Sequence, residues 1–205
     1  MTAAILLAAA LGFALGSVPF GWLLAAAAGR GDVRRKGSGN IGATNVFRVA
    51  GPGLAVLTLL LDAGKGAAAV ALARTIGPAG GLVAPAACVG AIAGSVFTPW
   101  LGFRGGKGAA TGAGALAVLA PLPLLASLAV FGAVAGIARR VSAGSLAAAI
   151  SFPGWAALFR SPSATVATGA AVALLLAWSH RENIARLAAG SEPKFGFHRD
   201  RGGAR

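Results

Sequence analysis

The sequence predicts an all-α integral membrane protein, a bundle of seven transmembrane helices with the N-terminus outside and the C-terminus in the cytoplasm. The first observation is composition: 57% of the 205 residues are hydrophobic, 11% are charged, and the mean hydropathy is +0.78. A soluble domain usually carries about 25% charged residues. The second observation is a series of apolar stretches long enough to cross a hydrocarbon core of about 30 Å. The third is that most basic residues fall in the polar segments between those stretches.

The charge balance is strongly basic, with eighteen basic and five acidic residues and a net charge of +13. In a soluble protein this excess would suggest a nucleic-acid partner. Here the basic residues lie between apolar spans, so membrane topology and anionic lipid headgroups explain them better. We therefore expect membrane lipids as partners and no nucleic acid. The single cysteine, Cys88, lies in an apolar run and is expected to be a small buried side chain.

The chain is expected to form one domain over residues 1–205, and its first span has no basic residue before it. Because Arg30 is the first basic residue, a retained helix is favoured over a cleaved signal peptide. The expected spans are approximately 2–28, 52–76, 79–101, 108–120, 122–138, 141–159 and 164–180. The expected cytoplasmic loops are 29–51, 102–108 and 181–205.

Residues 109–138 decide the number of spans. As one helix they would be ~45 Å long, well beyond the thickness of the hydrocarbon core. Pro121 and Pro123 offer a break that divides them into two short spans. With that break, fifteen of the eighteen basic residues fall on the inner side, two fall outside, and Lys65 lies within a span. The positive-inside rule favours this arrangement, which places all three polar segments on the cytoplasmic face.

The first polar segment, residues 36–48, predicts an anion-binding site. It contains no carboxylate, and its glycines let the backbone approach a ligand closely. Backbone N–H groups in such turns bind anions. An ordinary positive-inside loop would explain the basic residues but not the density of glycine, so a ligand site is favoured. The candidate side chains are Lys36, Ser38, Asn40, Thr44, Asn45 and Arg48.

The second segment resembles a phosphate loop in composition. It opens a helix, so we expect free N–H groups and the positive end of the helix dipole to face an anion. It does not fit the nucleotide-binding P-loop, because Gly108 follows Lys107 where Ser or Thr is required. A simple phosphate is therefore favoured, although a flexible positive-inside loop would have a similar composition. The candidates are Arg104, Gly105, Gly106, Lys107 and Gly108.

The third segment begins at His180. If it is helical, His180, Asn183 and Arg186 share a face because they are three residues apart. His180 is then a candidate base or phosphate ligand, and an interfacial histidine at a helix end is an equal alternative. Glu182 is one of only five acids, and pairing with a basic residue is its expected role.

Together these residues resemble the bacterial acyl-phosphate:glycerol-3-phosphate acyltransferases, the PlsY family. The resemblance covers nearly the whole chain and includes all three polar segments in order. It rests on Gly16-Ser-Val-Pro-Phe-Gly21, Gly37-Ser-Gly-Asn-Ile-Gly-Ala-Thr-Asn45 with Arg48, Phe103-Arg-Gly-Gly-Lys-Gly108 with Ala110-Thr-Gly112, and His180-Arg-Glu-Asn-Ile184 through Glu192-Pro-Lys-Phe195. One departure is Ser95, which follows Gly94 where many members have histidine. Any role of that histidine is absent here or passes to Ser95.

The resemblance implies transfer of a fatty acyl group from acyl phosphate to the 1-hydroxyl of glycerol-3-phosphate. The products would be lysophosphatidic acid and phosphate, formed at the cytoplasmic face of a bacterial inner membrane. It implies that Ser38 and Arg48 are essential for activity. It further implies catalytic roles for His180 and Asn183, structural support from Glu182, and a glycerol-phosphate site at Gly105, Gly106, Lys107 and Gly108.

The chemistry of the residues is compatible with this reaction. An acyl phosphate is already activated, so the protein must neutralise two phosphates, orient a hydroxyl and stabilise an oxyanion. Many donors and few acids suit that task. No cysteine lies in the polar segments, which excludes a thioester intermediate, and neither histidine begins a His-x4-Asp motif. We expect no metal and no cofactor, and we expect the acyl chain to lie between helices and to enter from the inner leaflet.

A membrane transporter for a phosphorylated small anion is the alternative from another class. A transporter would require a site near the membrane midplane and an internal repeat. Asp62 and Lys65, three residues apart in a span, are the only hint of a midplane site, and pairing with each other is the favoured explanation for them. Polar residues concentrate at one face and the sequence has no clear repeat, so the enzyme is favoured. The sequence does not predict the oligomeric state.

Overall fold

The computed structural model describes residues 1–77 and 81–195, and it is all-helical there, which confirms the predicted all-α class. Residues 196–205 of the predicted cytoplasmic tail lie outside the described part. Short 3₁₀ turns follow α2 and α5, at Val33–Arg35 and Pro99–Leu101. The α-helices are α1 Thr2–Gly16, α2 Phe20–Ala27, α3 Ala43–Ala50, α4 Pro52–Ile76, α5 Val83–Val96, α6 Ala109–Leu119, α7 Pro121–Ala138, α8 Val141–Leu158, α9 Ser163–Ser179 and α10 Arg181–Ala188.

Prolines set several of the helix boundaries. Pro52 and Pro121 occupy the first positions of α4 and α7, where N–H groups have no intrahelical acceptor in any case. Pro19 separates α1 from α2, since it has no N–H with which to continue α1. Ala120 precedes Pro121 and leaves the helical region, with φ −154° and ψ 83°. The chain between 109 and 138 is therefore divided into α6 and α7.

Five stretches are long and apolar enough to cross a membrane: Thr2–Ala27, α4, Val83–Leu101, α7 and α8. A sixth arises if α9 and α10, which meet at a bend of 67°, are counted as one. Helix α6 has 11 residues and is ~17 Å long, shorter than a hydrocarbon core of about 30 Å. Five or six candidate spans are therefore observed in the described chain, and the count of seven and the orientation of the termini stay predictions.

Glycines allow two pairs of helices to pack with their backbones in contact. A methyl group on Gly16 of α1 would overlap the carbonyl oxygen of Ala91 in α5. A methyl group on Gly114 of α6 would overlap the carbonyl oxygen of Ala63 in α4. Such small residues are typical of helix crossings in bilayers, where close approach replaces the hydrophobic driving force. They hold α1 against α5 and α6 against α4.

The break between α1 and α2 is held by side chains from other helices. Lys65 of α4 donates to the Val18 carbonyl oxygen at 2.8 Å and forms an ion pair with Asp62 at 2.7 Å. The two charged side chains are only 6% and 13% exposed. Thr98 donates to the carbonyl oxygen of Ser17. The predicted pairing of Asp62 with Lys65 is confirmed, and the pair helps to fix the direction of α2.

The largest buried apolar cluster lies among α4 to α9. Its buried members are Val70, Cys88, Ile92, Ala115, Leu116, Ala120, Leu124, Ala149, Phe152, Ala156, Val172 and Leu176. Cys88 is fully buried, as its sequence context predicted. Leucines such as Leu60 and Leu125 are exposed on the outer faces of α4 and α7, which suits contact with hydrocarbon.

Candidate active site

One cavity of about 660 Å³ receives residues from all three polar segments. Its polar end is bordered by Ser38 and Arg48 of the first segment, Lys107 of the second, and His180 and Asn183 of the third. Its other end lies among apolar side chains of α6, α7, α8 and α9, and we call that end the apolar arm. The volume is within the range of about 300–1,000 Å³ that is usual for ligand sites. The fold therefore joins a polar, cationic end and an apolar arm in one space.

Asn45 holds the first segment in shape from the inside. It is 1% exposed, and its Oδ1 accepts the Ser38 N–H at 2.8 Å. Its Nδ2 donates to the carbonyl oxygens of Val33 and Asn40 at 2.9 and 2.7 Å. Gly37 has a φ of +61°, and a methyl group there would overlap Asn45 Oδ1, so glycine is required. Because the Asn45 amide is engaged by its own loop, it shapes the site and places Ser38.

The first segment presents Ser38, Asn40, Thr44 and Arg48 to the cavity. Asn40 Oδ1 accepts the N–H of Gly42 at 2.9 Å, which forms a turn just before α3. Arg48 lies in the last turn of α3 and is exposed at the polar end. Its guanidinium is planar and permanently charged, and it matches the geometry of a phosphate group.

The second segment packs against the end of α5. The N–H of Gly105 donates to the Val96 carbonyl oxygen at 3.0 Å, and that of Gly106 donates to the Ser95 carbonyl oxygen at 2.9 Å. A methyl group on Gly105 would overlap the Ser95 oxygen, so this glycine permits the backbones to touch. The expectation that the glycine N–H groups face an anion is therefore wrong for Gly105 and Gly106. The N–H groups without intrahelical acceptors follow later, in the first turn of α6 from Ala109, which borders the cavity.

Lys107 is the cation that the second segment brings to the cavity. Ser179 Oγ donates to its carbonyl oxygen at 2.9 Å and joins the segment to the end of α9. Burial is the main reason that the pKa of the Lys107 ammonium is lowered to about 8. Glu192 opposes this shift, while Arg186 and Arg48 add to it. A bound anion would favour the charged ammonium, because a nearby opposite charge raises the pKa of a cation.

His180 lies in the break between α9 and α10 and is 3% exposed. Its Nδ1 lies 2.8 Å from the carbonyl oxygen of Leu176. A carbonyl oxygen can only accept, so Nδ1 carries the proton. In the neutral ring Nε2 is then unprotonated and able to accept a hydrogen bond or a proton. Because His180 borders the cavity, this acceptor belongs to the polar end.

Glu192 is a buried carboxylate that ties the third segment together. It is 7% exposed, and its Oε1 accepts from Ser142 Oγ and Asn183 Nδ2, both at 2.6 Å. Its Oε2 accepts from Arg186 Nε at 2.8 Å. Burial raises the pKa of Glu192, but hydrogen bonds from Ser142, Asn183 and Arg186 outweigh it, and the net pKa is lowered. The ionised carboxylate therefore links α8, α10 and the loop after α10.

The resemblance implied that Glu182 gives structural support, but in the structure Glu192 makes the buried supporting contacts. The Glu182 side chain is 74% exposed and lies 3.9 Å from Arg186 Nη1. Sequence reasoning gave Glu192 no role, although a signal was present. Glu192 is one of five acids in the chain and lies within a strongly basic segment, where a carboxylate is expected to have several cationic or donor neighbours.

Asn183 leaves one polar atom without a partner. Its Oδ1 is buried and accepts no hydrogen bond within residues 1–77 and 81–195. Buried acceptors are almost always paired, so this exception, in a residue that borders the cavity, makes Asn183 a candidate for contact with substrate. Glu192 holds Asn183 through Nδ2, which fixes the orientation of the amide. Asn183 is therefore held in one orientation at the polar end, with Oδ1 as its unused acceptor.

Some predicted residues lie away from the cavity. In the described chain Lys36, Arg104 and Gly105 do not border it, and Lys36 and Arg104 are exposed. Ser95 does border it, and its Oγ accepts from Thr111 Oγ1 at 3.2 Å. Among residues 1–77 and 81–195, no three histidine, cysteine or acidic side chains come together as a metal site.

The sequence matches the family model described as glycerol-3-phosphate acyltransferase over residues 6–190. The chain belongs to the glycerol-3-phosphate acyltransferase family. Among the relatives of this acyltransferase, a protein named glycerol-3-phosphate acyltransferase from Gluconobacter oxydans (strain 621H) is 46% identical over 196 residues, which cover 94% of this chain and 93% of the relative. One of that name from Agrobacterium fabrum is 46% identical over 190 residues, covering 93% and 91%.

Two solved structures are similar to this acyltransferase over nearly the whole chain. Both are described as crystal structures of PlsY (YgiH), an integral membrane glycerol 3-phosphate acyltransferase. The glycerol 3-phosphate form has a TM-score of 0.89 and 33% identity, covering 94% of this chain and 96% of that one. The lysophosphatidic acid form has a TM-score of 0.87 and 32% identity, covering 94% and 95%. The predicted family and its integral-membrane class are confirmed.

Proposed function

We propose that this acyltransferase moves a fatty acyl group from acyl phosphate to the 1-hydroxyl of sn-glycerol-3-phosphate. The products are lysophosphatidic acid and inorganic phosphate, and the reaction is an early committed step of phospholipid synthesis. Family membership supports glycerol-3-phosphate as the acceptor. The forms in which PlsY was solved, with glycerol 3-phosphate and with lysophosphatidic acid, support this pair of acceptor and product.

The observation that carries the proposal is the cavity that joins the cationic polar end to the apolar arm. Arg48, Lys107 and Arg186 border the polar end, where they suit phosphate groups. Hydrocarbon side chains of four helices border the apolar arm, where they suit a fatty chain. A substrate pair with phosphate at one end and a fatty acyl chain at the other matches both parts at once. A free phosphate, or a fatty chain without phosphate, would match only one of them.

In the proposed reaction the 1-hydroxyl oxygen attacks the acyl carbonyl carbon, and the carbonyl-to-phosphate C–O bond breaks as the new ester C–O bond forms. Asn183 Oδ1 accepts the hydrogen bond of the attacking hydroxyl and so orients it. Lys107 and Arg48 neutralise the phosphate charges, and Ser38 positions substrate at the mouth of the cavity. The hydroxyl proton has two acceptors in this arrangement, Nε2 of His180 and the leaving phosphate. Asn40, Thr44 and the first turn of α6 complete the phosphate surroundings.

We propose that the polar end faces the cytoplasm of a bacterial cell, in a seven-span chain whose N-terminus lies outside. The support is the distribution of charge, because fifteen of eighteen basic residues then lie on the inner side. Cysteine labelling tests this after Cys88 has been replaced by alanine. The cysteine of an Arg186→Cys variant should react only with reagents that enter the cell. Labelling by an impermeant reagent would show that the chain has the opposite orientation.

The donor test is the most informative experiment on the proposed function. Purified enzyme in detergent is given glycerol-3-phosphate with acyl phosphate, with acyl-CoA, or with acyl-carrier protein. We expect lysophosphatidic acid and stoichiometric phosphate from acyl phosphate alone. Product from either thioester donor, with none from acyl phosphate, would contradict the proposal that acyl phosphate is the donor. No product from any donor, together with counterflow of glycerol-3-phosphate in vesicles, would favour the transporter instead.

A further inference from the structure

We infer that the apolar arm holds the acyl chain of the donor. We further infer that Phe152, which packs on Gly169, ends the arm and sets the chain length that the enzyme accepts. This inference rests on the proposed function, because it assigns the apolar arm to the acyl group of the donor. It adds a residue that determines specificity, together with the glycine on which that residue depends.

The apolar arm ends at one side chain from each of its four helices. The cavity-lining residue farthest from the polar end is Leu116 on α6, Leu124 on α7, Phe152 on α8 and Val172 on α9. These side chains are 5%, 9%, 1% and 2% exposed, and all belong to the large buried cluster. Ala120, which follows the end of α6, and Ala156 on α8 belong to the same cluster and do not border the cavity. The arm is therefore closed by packed side chains.

The depth of the arm suits one lipid chain. Ser142, which is bonded to Glu192 at the polar end, and Phe152 are ten residues apart on α8. That separation corresponds to ~15 Å along a helix. A hydrocarbon core of about 30 Å contains two leaflets, so one leaflet is also ~15 Å thick. A fatty acyl chain that begins at the polar end therefore reaches Phe152 near its terminal methyl group.

Gly169 provides the space that Phe152 occupies. Phe152 is the largest fully buried side chain among the described residues. A methyl group on Gly169 would lie 2.5 Å from Phe152 Cδ1 and 3.0 Å from Cε1. The first distance is too short for two carbon atoms and the second is very tight, so the ring occupies space that only glycine leaves. Phe152 packs on α9 at Gly169 and also borders the arm, so we expect a side chain at 169 to displace the ring towards the arm.

Two substitutions should therefore change the chain-length preference in opposite directions. Phe152→Ala deepens the arm and should favour longer chains, whereas Gly169→Ala pushes the ring forward and should favour shorter ones. Gly154→Ala is the matched glycine control, because a methyl group at that position of α8 meets nothing within 4 Å. Phe159→Ala is the matched phenylalanine control, because Phe159 lies at the end of α8 and is 46% exposed.

The assay is a competition between two acyl phosphates in one tube with glycerol-3-phosphate, read as the ratio of the two lysophosphatidic acids. One donor has the chain that the unaltered enzyme uses fastest, and the other is two methylenes longer or shorter. Each buried methylene changes binding by a factor of about four, so two of them should change the ratio by about fifteenfold. We expect that shift towards longer chains for Phe152→Ala and towards shorter chains for Gly169→Ala, with both controls unchanged.

Ratios that stay within twofold of the unaltered enzyme in both variants would overturn the inference. They would show that the chain leaves sideways, past the exposed Leu59 and Leu128, without reaching Phe152. If Phe152→Ala does not fold, Phe152→Leu must show a smaller shift of the same sign for the inference to hold. The unaltered enzyme separates the two proposals. If it yields no product from any acyl phosphate, the proposed function fails, whereas product with unchanged ratios in the variants contradicts only the role of Phe152.

Discussion

Replacing Glu192 by glutamine tests whether a buried carboxylate organises the third segment. Glutamine keeps the shape of the side chain but has one acceptor oxygen and one NH₂ group. If the oxygen stays with Ser142 and Asn183, the NH₂ group faces the donor Arg186 Nε. If the amide is reversed, the NH₂ group faces Asn183 Nδ2, and the Asn183 amide must turn. Either arrangement places one donor against another or moves the unpaired Oδ1 of Asn183.

The structure allows the effect to be estimated. A hydrogen bond to a charged group contributes about 1.5–3 kcal/mol, and Arg186 is partly exposed, so a loss of about 2 kcal/mol in the free energy of unfolding is expected. A comparable loss of positioning for Asn183 would lower kcat by roughly 30-fold, since about 1.4 kcal/mol is a factor of ten in rate. At neutral pH the KM for glycerol-3-phosphate should change less than kcat, because Lys107 and Arg48 keep their positions, although Lys107 loses the charge of Glu192 that raises its pKa.

The measurement is phosphate release at saturating substrates, with the thermal midpoint of unfolding recorded in the same detergent. Glu182→Gln is the matched control, since its side chain is 74% exposed and its ion pair is long. An exposed pair of this kind contributes about 0–1 kcal/mol, so the control should keep its kcat within about twofold. A Glu192→Gln enzyme with unchanged kcat and unchanged midpoint would refute the reasoning, and a large loss in the control would transfer the supporting role to Glu182.

Three other changes probe separate parts of the molecule. Burial lowers the pKa of Lys107 to about 8, so kcat/KM for glycerol-3-phosphate should fall about tenfold per pH unit above that value as the ammonium loses its proton. Lys107→Arg should remove this fall because arginine stays charged, and a fall that persists would exclude Lys107 as its cause. Ser38→Ala should abolish turnover without changing the thermal midpoint, since Ser38 is exposed; near-normal activity would remove it from the site. Gly114→Ala should destabilise the bundle by about 1–3 kcal/mol through overlap with Ala63, whereas Gly64→Ala, which meets nothing within 4 Å, should not; equal effects would contradict the close crossing.

The features that the sequence predicted best depend on short stretches of chain. Hydrophobic composition predicted the all-α membrane class, and Pro121 lies where the chain leaves α6 and begins α7. The intramembrane pair of Asp62 and Lys65 was predicted because two charges three residues apart on a helix face each other. Glycine-rich polar segments marked the site, since such composition is unusual between apolar spans. In each case the physical cause is local.

What the sequence did not predict depends on contacts between distant parts of the chain. Asn45 was expected as a ligand-binding amide and it does border the cavity, but the sequence did not predict its hydrogen bonds to the backbone of residues 33 to 40. Gly105 and Gly106 were expected to offer free N–H groups, yet the end of α5 takes both. One partner of Glu192, Ser142 on α8, lies fifty residues away, and no periodicity in the sequence relates the two residues. The apolar arm likewise required the arrangement of four helices.

The position of Glu192 near the end of the chain has a consequence for how the enzyme is made. Synthesis proceeds from the N-terminus at roughly 5–20 residues per second, so Ser142 leaves the ribosome well before the carboxylate that receives its hydroxyl. Once α9 is complete at Ser179, all the apolar helices have been made, but Glu192, the acid that holds Asn183 and Arg186, has not. The bundle can therefore be inserted and packed before it is able to react. We therefore expect a chain that ends before Glu192 to insert into the membrane but to transfer no acyl group.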